Sequence, residues 1–266
     1  MPLTVCATPI GNLEDVTLRV LAALAAADVV LAEDTRHTRG LLQRHGVEAR
    51  LLSYHEHNEA ARVSEFVPRL LAGERVALVS DAGLPGISDP GGRLVRAALD
   101  AGVPVTVLPG PSAVETALVA SGLVSGRYTF VGFLPRRKGE LEALWAELAA
   151  WESPVVAFES PRRLPATLQS LAVAAPERDV AVCRELTKRF EEVVRGTAAE
   201  LAERFAVPPK GEITLVIGRG GAAPAADEAG RAVAALVAAG TPRRVAAEVV
   251  ASLTGLPRND LYRGSL

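Results

Sequence analysis

Four short segments concentrate the residues able to hold a small polar ligand. They are Thr8-Pro9-Ile10-Gly11-Asn12, Glu33-Asp34-Thr35-Arg36, the run from Ser80 to Gly91, and Pro109-Gly110-Pro111-Ser112-Ala113. Each mixes Gly and Pro, or tight-turn residues, with hydroxyls or carboxylates. Gly lets a backbone approach a ligand closely, and Pro fixes the shape of a loop. A carboxylate such as Asp81 accepts hydrogen bonds from ribose hydroxyls or an amino group. None of the segments is a phosphate cradle, because the chain has neither Gly-Lys-Ser/Thr nor G-x-G-x-x-G. Any one of them alone reads as a tight turn; four of them together read as a ligand crevice. His55 and His57 raise the question of a metal. With no further cluster at metal-ligand spacing, a structural or substrate-loop role is preferred and no metal is expected.

The elements that must position these loops follow from apolar periodicity. Leu3–Ala7, Val29–Ala32, Val76–Val79 and Val103–Leu108 are nearly unbroken apolar runs, which suit strands buried on both faces. Helical patterns lie between them at Leu18–Ala26, Arg36–His45, Glu59–Leu71 and Leu94–Ala101, and another follows Ser112. This βαβ rhythm predicts a parallel sheet. The four segments then follow its four strands, at the carboxyl edge where open α/β sheets bind ligands. A glycine-containing break at Gly122–Arg127 separates a second half. There, strands are expected at Tyr128–Leu134, Val155–Glu159, Val180–Cys183, Glu192–Arg195 and Ile213–Ile217. Helices are expected at Gly139–Trp151, Leu164–Ala172 and Ala198–Phe205. The expected domains are therefore 1–122, parallel α/β, and 123–219, mixed α/β. A Gly/Ala/Pro linker leads to a helical tail over 227–266. In that tail Thr241 is an expected N-cap with Pro242 at the first helical position.

Composition narrows the class. Hydrophobic residues make up 49% and charged residues 23%, the balance of an ordinary soluble globular chain. The net charge of −2 excludes a general polyanion binder. It is uneven, however: residues 1–123 carry −4 and residues 124–266 carry +2. A polyanion is therefore expected to meet the second half, with Arg136-Arg137-Lys138, Arg162-Arg163, Lys188-Arg189 and Arg243-Arg244 as candidate contacts. Cys6 and Cys183 stand in apolar runs and read as buried small residues of a reducing compartment. The first residues lack a basic flank and apolar signal core, and no stretch is apolar enough to span a membrane, so a cytoplasmic location is expected.

The loop sequences carry more than their physics. Ala7-Thr8-Pro9-Ile10-Gly11-Asn12-Leu13, Ala32-Glu33-Asp34-Thr35-Arg36, Ser53-Tyr54-His55-Glu56-His57-Asn58-Glu59 and Ser80 to Gly91 resemble the tetrapyrrole-methylase superfamily. So do Gly132-Phe133-Leu134-Pro135-Arg136, Phe158-Glu159-Ser160-Pro161-Arg162-Arg163 and Pro209-Lys210-Gly211-Glu212. These are the class III S-adenosylmethionine-dependent methyltransferases. Within that superfamily the runs, in order from residue 3 to about 262, resemble the branch that methylates small-subunit ribosomal RNA.

The resemblance implies two α/β domains with S-adenosylmethionine in the cleft between them. It implies that Pro9, Ser80, Asp81, Gly83, Leu84, Ser112 and Ala113 flank the cofactor from the first domain. Phe158, Leu186, Glu212, Ile213 and Thr214 are implied to close the pocket from the second. The implied reaction is methyl transfer to the 2′-oxygen of a decoding-region cytidine. Glu33 and Asp34 are the first candidates for the base and Glu159 the second. Arg36 and Lys188 are candidates to orient the nucleotide, against the alternative of a structural ion-pair network. The partners implied are small-subunit rRNA or the assembled small subunit, and a second copy of the chain in a homodimer. Porphyrin-methylating relatives usually carry Gly-x-Gly-Pro-Gly-Asp where this chain has Ala7-Thr8-Pro9-Ile10-Gly11-Asn12, which counts against a tetrapyrrole or precorrin substrate. A non-catalytic RNA-binding assembly factor on the same scaffold is the other alternative. The tail resembles a helix-turn-helix; RNA contact through Arg243, Arg244, Arg258 and Arg263 stands against a simple helical cap.

Overall fold

A computed structural model describes residues 2–220, 226–254 and 256–264. The first half builds one five-stranded parallel sheet from β1 (Leu3–Cys6), β2 (Val29–Ala32), β3 (Leu51–Ser53), β4 (Val76–Val79) and β5 (Val105–Leu108), in the order β3-β2-β4-β1-β5. β2 and β4 are buried at every position, as their unbroken apolar runs require. Helices α1 (Leu18–Ala26), α2 (Thr35–Arg44), α3 (Glu59–Leu71), α4 (Gly92–Asp100) and α5 (Ala113–Ser121) follow the strands. Thr17 and Asp34 cap α1 and α2 by accepting from the backbone N–H groups of Val20 and Arg36. Sequence periodicity does not resolve β3. It is a three-residue edge strand, half-buried throughout, and too short to show alternation.

The second sheet has the order β6-β7-β10-β8-β9, with β6 (Thr129–Phe133), β7 (Val155–Glu159), β8 (Asp179–Arg184), β9 (Glu192–Thr197) and β10 (Ile213–Ile217). β6 and β7 are parallel and the other pairs antiparallel, so the expected mixed sheet is present. Its two faces separate by the period of a strand. Val155, Ala157, Val180, Val182, Ile213, Leu215 and Ile217 join the core under α6 (Lys138–Leu148), α7 (Leu164–Ala174) and α8 (Ala198–Arg204). Val156, Ala181, Cys183 and Val216 face the other way, against Val114, Ala117 and Leu118 of α5 and Ile10 of the first loop. Thus α5, which precedes the expected boundary at residue 122, packs on the second sheet.

The tail forms three helices, α9 (Ala226–Ala238), α10 (Arg243–Thr254) and α11 (Arg258–Gly264), around Ala229, Val233, Ala246, Ala247, Val250 and Leu261. The second helix of the expected helix-turn-helix is α11. The turn residue Gly255, part of the linker before α9, and the side chain of Arg263 lie outside the described residues. No described helix is long and apolar enough to cross a membrane.

Candidate active site

The carboxyl ends of the first sheet's strands converge because their loops are tied to one another. Thr8 and Gly83 exchange backbone hydrogen bonds of 2.8 and 3.1 Å, and the Thr8 hydroxyl donates to the carbonyl of Ser80 at 3.0 Å. These two loops follow neighbouring strands β1 and β4. Gly83 holds a φ of 75° there, a left-handed backbone that favours glycine. The fourth loop presses on the first: a Cβ on Gly110 would stand 2.9 Å from that of Ala7.

Facing this edge across a cavity of 520 Å³ is the second sheet. The strand register explains which of its residues meet the space. Thr214 of β10 pairs with Phe158 of β7 on one side and Cys183 of β8 on the other, and all three line the cavity in one row. Leu186, Glu212 and Ile213 extend that wall. From the first sheet come Ile10, Gly83, Leu84, Ser112 and Ala113. Nine of the twelve residues implied for the cofactor therefore stand on one cavity. Pro9, Ser80 and Asp81 do not line it. Ser80 is buried behind it, and Asp81 turns its carboxylate to the backbone N–H of Asp34 at 3.0 Å.

The cavity also takes residues that lie inside the quoted motifs but were not singled out: Ile87, Ser88, Asp89, Phe133, Ser160 and Gly211 among them. Ser88 and Asp89 line a second, more polar pocket of 650 Å³ as well, together with Glu33, His55, His57, Glu59 and Arg93. The two spaces thus share a wall at Ser88-Asp89. Ser88 has a φ of 61°, unusual for a residue with a side chain, and such strain tends to collect at functional sites. Burial pushes the Asp89 carboxyl up to about 6; the nearby Glu33 and Asp81 charges add to this and a hydrogen bond from Ser80 opposes it. Burial also raises Glu33, against a hydrogen bond from the backbone N–H of Asp81.

The remaining candidates are engaged in structural contacts. The Arg36 guanidinium binds both oxygens of Asp34 and helps lower that carboxyl to about 2, while the same carboxylate caps α2. Glu159 borders the cavity, but its carboxylate is fully buried. It accepts from the Thr167 hydroxyl at 2.6 Å and its own neighbour Ser160 N–H at 2.7 Å, and pairs with Arg163 at 3.3 Å. Lys188 lies between Glu185 at 3.1 Å and Glu212 at 2.9 Å, and its stem covers Gly11 of the first loop. Burial alone lowers such an ammonium; its two carboxylate partners outweigh that and raise it. His55 contacts Asn58, and its rings with His57 meet edge to face. Among the described residues no group of three His, Cys, Asp or Glu side chains is placed to hold a metal.

Two α/β sheets facing each other across one ligand cavity define a class, and a family model for tetrapyrrole (corrin/porphyrin) methylases matches residues 2–202. The chain belongs to that family. A uroporphyrin-III C-methyltransferase from Thermus thermophilus, solved in complex with S-adenyl homocysteine, shares the fold with a TM-score of 0.57 at 20% identity, over 81% of this chain and 96% of that one. Among curated proteins, the ribosomal RNA small subunit methyltransferase I of Mesorhizobium japonicum is 46% identical over 97% of this chain and 88% of that protein. The protein of the same name from Mycobacterium bovis is 47% identical over 96% and 91%. Within the family, the chain belongs with the ribosomal RNA small subunit methyltransferase I proteins.

Proposed function

We propose that the chain transfers a methyl group from S-adenosylmethionine to the 2′-oxygen of a cytidine ribose in the decoding region of small-subunit ribosomal RNA. The observation that carries this reading is the cavity shared by both sheets, in a chain 46% identical to a ribosomal RNA small subunit methyltransferase I. Its walls suit the cofactor. Ile10, Leu84, Phe158 and Leu186 offer apolar surface to a flat base, and Ser112, Asp89 and Glu212 offer oxygens to hydroxyl and amino groups. Among the described residues no arginine or lysine lines it, which matches a nucleoside without phosphate.

The cofactor supplies a methyl group on a positively charged sulfur, so its leaving group is already activated. What remains for the protein is alignment and one proton. Gly83, Leu84, Ser112 and Ala113 hold one side of the cofactor, and Phe158, Leu186, Glu212, Ile213 and Thr214 hold the other. Pro9, Ser80 and Asp81 brace the loops from behind. The target ribose enters through the polar pocket, where Glu33 is poised to take its hydroxyl proton as the oxygen–methyl bond forms. Asp34 and Arg36 fix the start of α2 beside it; Glu159 and Lys188 fix the second-sheet wall. The two α/β domains act as one unit in a cytoplasmic homodimer, and the tail contacts the subunit.

The test is incubation of the chain with methyl-labelled S-adenosylmethionine and small ribosomal subunits from cells lacking it, followed by nucleoside mass spectrometry. The expected product is 2′-O-methylcytidine. Label found only on the base, or only on added tetrapyrrole, refutes the proposal.

A further inference from the structure

We propose that the exits of β6 and β7 form a binding site for single-stranded RNA beside the methyl-accepting nucleotide, with Phe133 as a stacking face and Arg136 and Arg162 as phosphate contacts. This rests on the rRNA-methyltransferase reading above.

The first observation is the placement of Phe133. Strand β6 shifts register between Phe130 and Phe133, and Gly132 between them has a φ of 68°. A Cβ there would lie 3.5 Å from the Ser88 hydroxyl, so the glycine brings this strand end against the loop shared by the two pockets. The shift sets Phe133 opposite Phe158, edge to face at 5.5 Å between ring centroids. Phe158 is held in turn by Phe130 at 5.0 Å. Phe133 therefore has a supported edge, yet it is 64% exposed while lining the cavity. An isolated exposed Phe means little. One fixed in place at the mouth of a nucleoside-sized cavity is a ready flat surface for a base.

The second observation is charge. Of the five basic residues in these two exits, three are engaged. Arg137 pairs with Glu140 and Lys138 with Glu142. Arg163 pairs with Glu159 and donates to the carbonyls of Leu134 and Pro135. Those donations tie one exit to the other, so Arg136 and Arg162 stand at adjacent exits of parallel strands, Arg136 also bordering the groove along α6 and α7. Both are exposed, and neither has an ion-pair partner among the described residues. On a chain of net charge −2, two exposed arginines without an ion-pair partner among the described residues, at the two strand exits that carry Phe133 and its partner Phe158, are a local anion site rather than part of a general basic surface. Stacking rings with adjacent cations are how proteins hold unpaired, splayed nucleotides of structured RNA.

The test is binding of the full chain to small ribosomal subunits from cells lacking it, over a salt series, with calorimetric S-adenosylmethionine affinity in parallel. Phe133→Leu keeps an apolar wall and removes the flat face. Subunit affinity is expected to fall on the order of tenfold, with Phe133→Tyr close to wild type. Arg136→Ala with Arg162→Ala is expected to lower the salt slope by about 1.4, two single-strand phosphate contacts at roughly 0.7 each. Cofactor affinity is expected to be unchanged in that double variant. Wild-type subunit affinity in Phe133→Leu overturns the stacking assignment. A loss confined to cofactor affinity also overturns it, by giving the ring to the cofactor. An unchanged salt slope overturns the phosphate assignment. A wild-type chain that binds no cofactor and methylates no subunit is a separate failure, seen before any variant is made, and removes the methyltransferase reading itself.

Discussion

Glu159 separates a structural carboxylate from a catalytic one. Its side chain is fully buried and holds three partners: the Thr167 hydroxyl, the Ser160 backbone N–H and the Arg163 guanidinium. Glu159→Ala takes this acceptor from Thr167 and Ser160 and the carboxylate from Arg163, which keeps only the carbonyls of Leu134 and Pro135. Removing one side of a buried ion pair costs about 3–5 kcal/mol, because the other side is left uncompensated. Thr167→Val removes a single hydrogen bond to a charged group, about 1.5–3 kcal/mol. The readout is built in: of the two tryptophans, Trp145 is in the core of the second sheet and Trp151 packs against it. Urea unfolding followed by tryptophan fluorescence should therefore shift by about 1 M or more for Glu159→Ala, taking ~4 kcal/mol over a slope of ~3 kcal/mol/M. Thr167→Val should fall between that variant and wild type. A Glu159→Ala protein that unfolds at the wild-type urea concentration but has lost methyl transfer would refute this reasoning and return Glu159 to the list of candidate bases.

Two other outcomes are expected. Asp89 ionises near 6 in the fold and near about 4 in an unfolded chain, so the folded state holds its proton more tightly. It therefore lowers stability as pH rises from about 4 to 6, by at most ~3 kcal/mol for a shift of about two units, less for its partial exposure. Asp89→Asn should flatten that part of the pH dependence of the urea midpoint, and parallel curves for variant and wild type would exclude the effect. Gly83→Val should weaken S-adenosylmethionine binding in calorimetry, and at φ 75° it should also destabilise the fold by about 1–2 kcal/mol; a folded variant with wild-type affinity would remove Gly83 from the cofactor site.

Much of the candidate cavity's lining falls within the motifs, but the motifs do not tell which residue in each turns inward. In the segment Ser80 to Gly91 the resemblance points to Ser80, Asp81, Gly83 and Leu84; of these Gly83 and Leu84 reach the cavity, and so do the later residues Ile87, Ser88 and Asp89. A loop has no period from which to assign sides. Cys183 was legible as buried but not as a wall of the site. Its place depends on pairing with Thr214, 31 residues further along the chain, and single-strand periodicity is blind to pairing. Asp34 carries two signals in the sequence, a candidate base and an Asp before a helical pattern, and its geometry shows the cap. Among the strands, β2 and β4 are legible as unbroken apolar runs and are buried at every position, whereas β3 gives no pattern long enough to read.

Helix α5 bears on how anything reaches the cavity. It is connected to β5 of the first sheet, yet its apolar side lies on β7, β8 and β10 of the second. Swinging the two sheets apart at the glycine-rich segment after it would strip Ala117 and Leu118 from Val156, Ala181 and Val216, exposing a buried apolar face to water. The join behaves as core, not as a hinge. Exchange of a ligand in the cavity therefore falls to its rim, where Ile87, Ser88 and Phe133 are exposed.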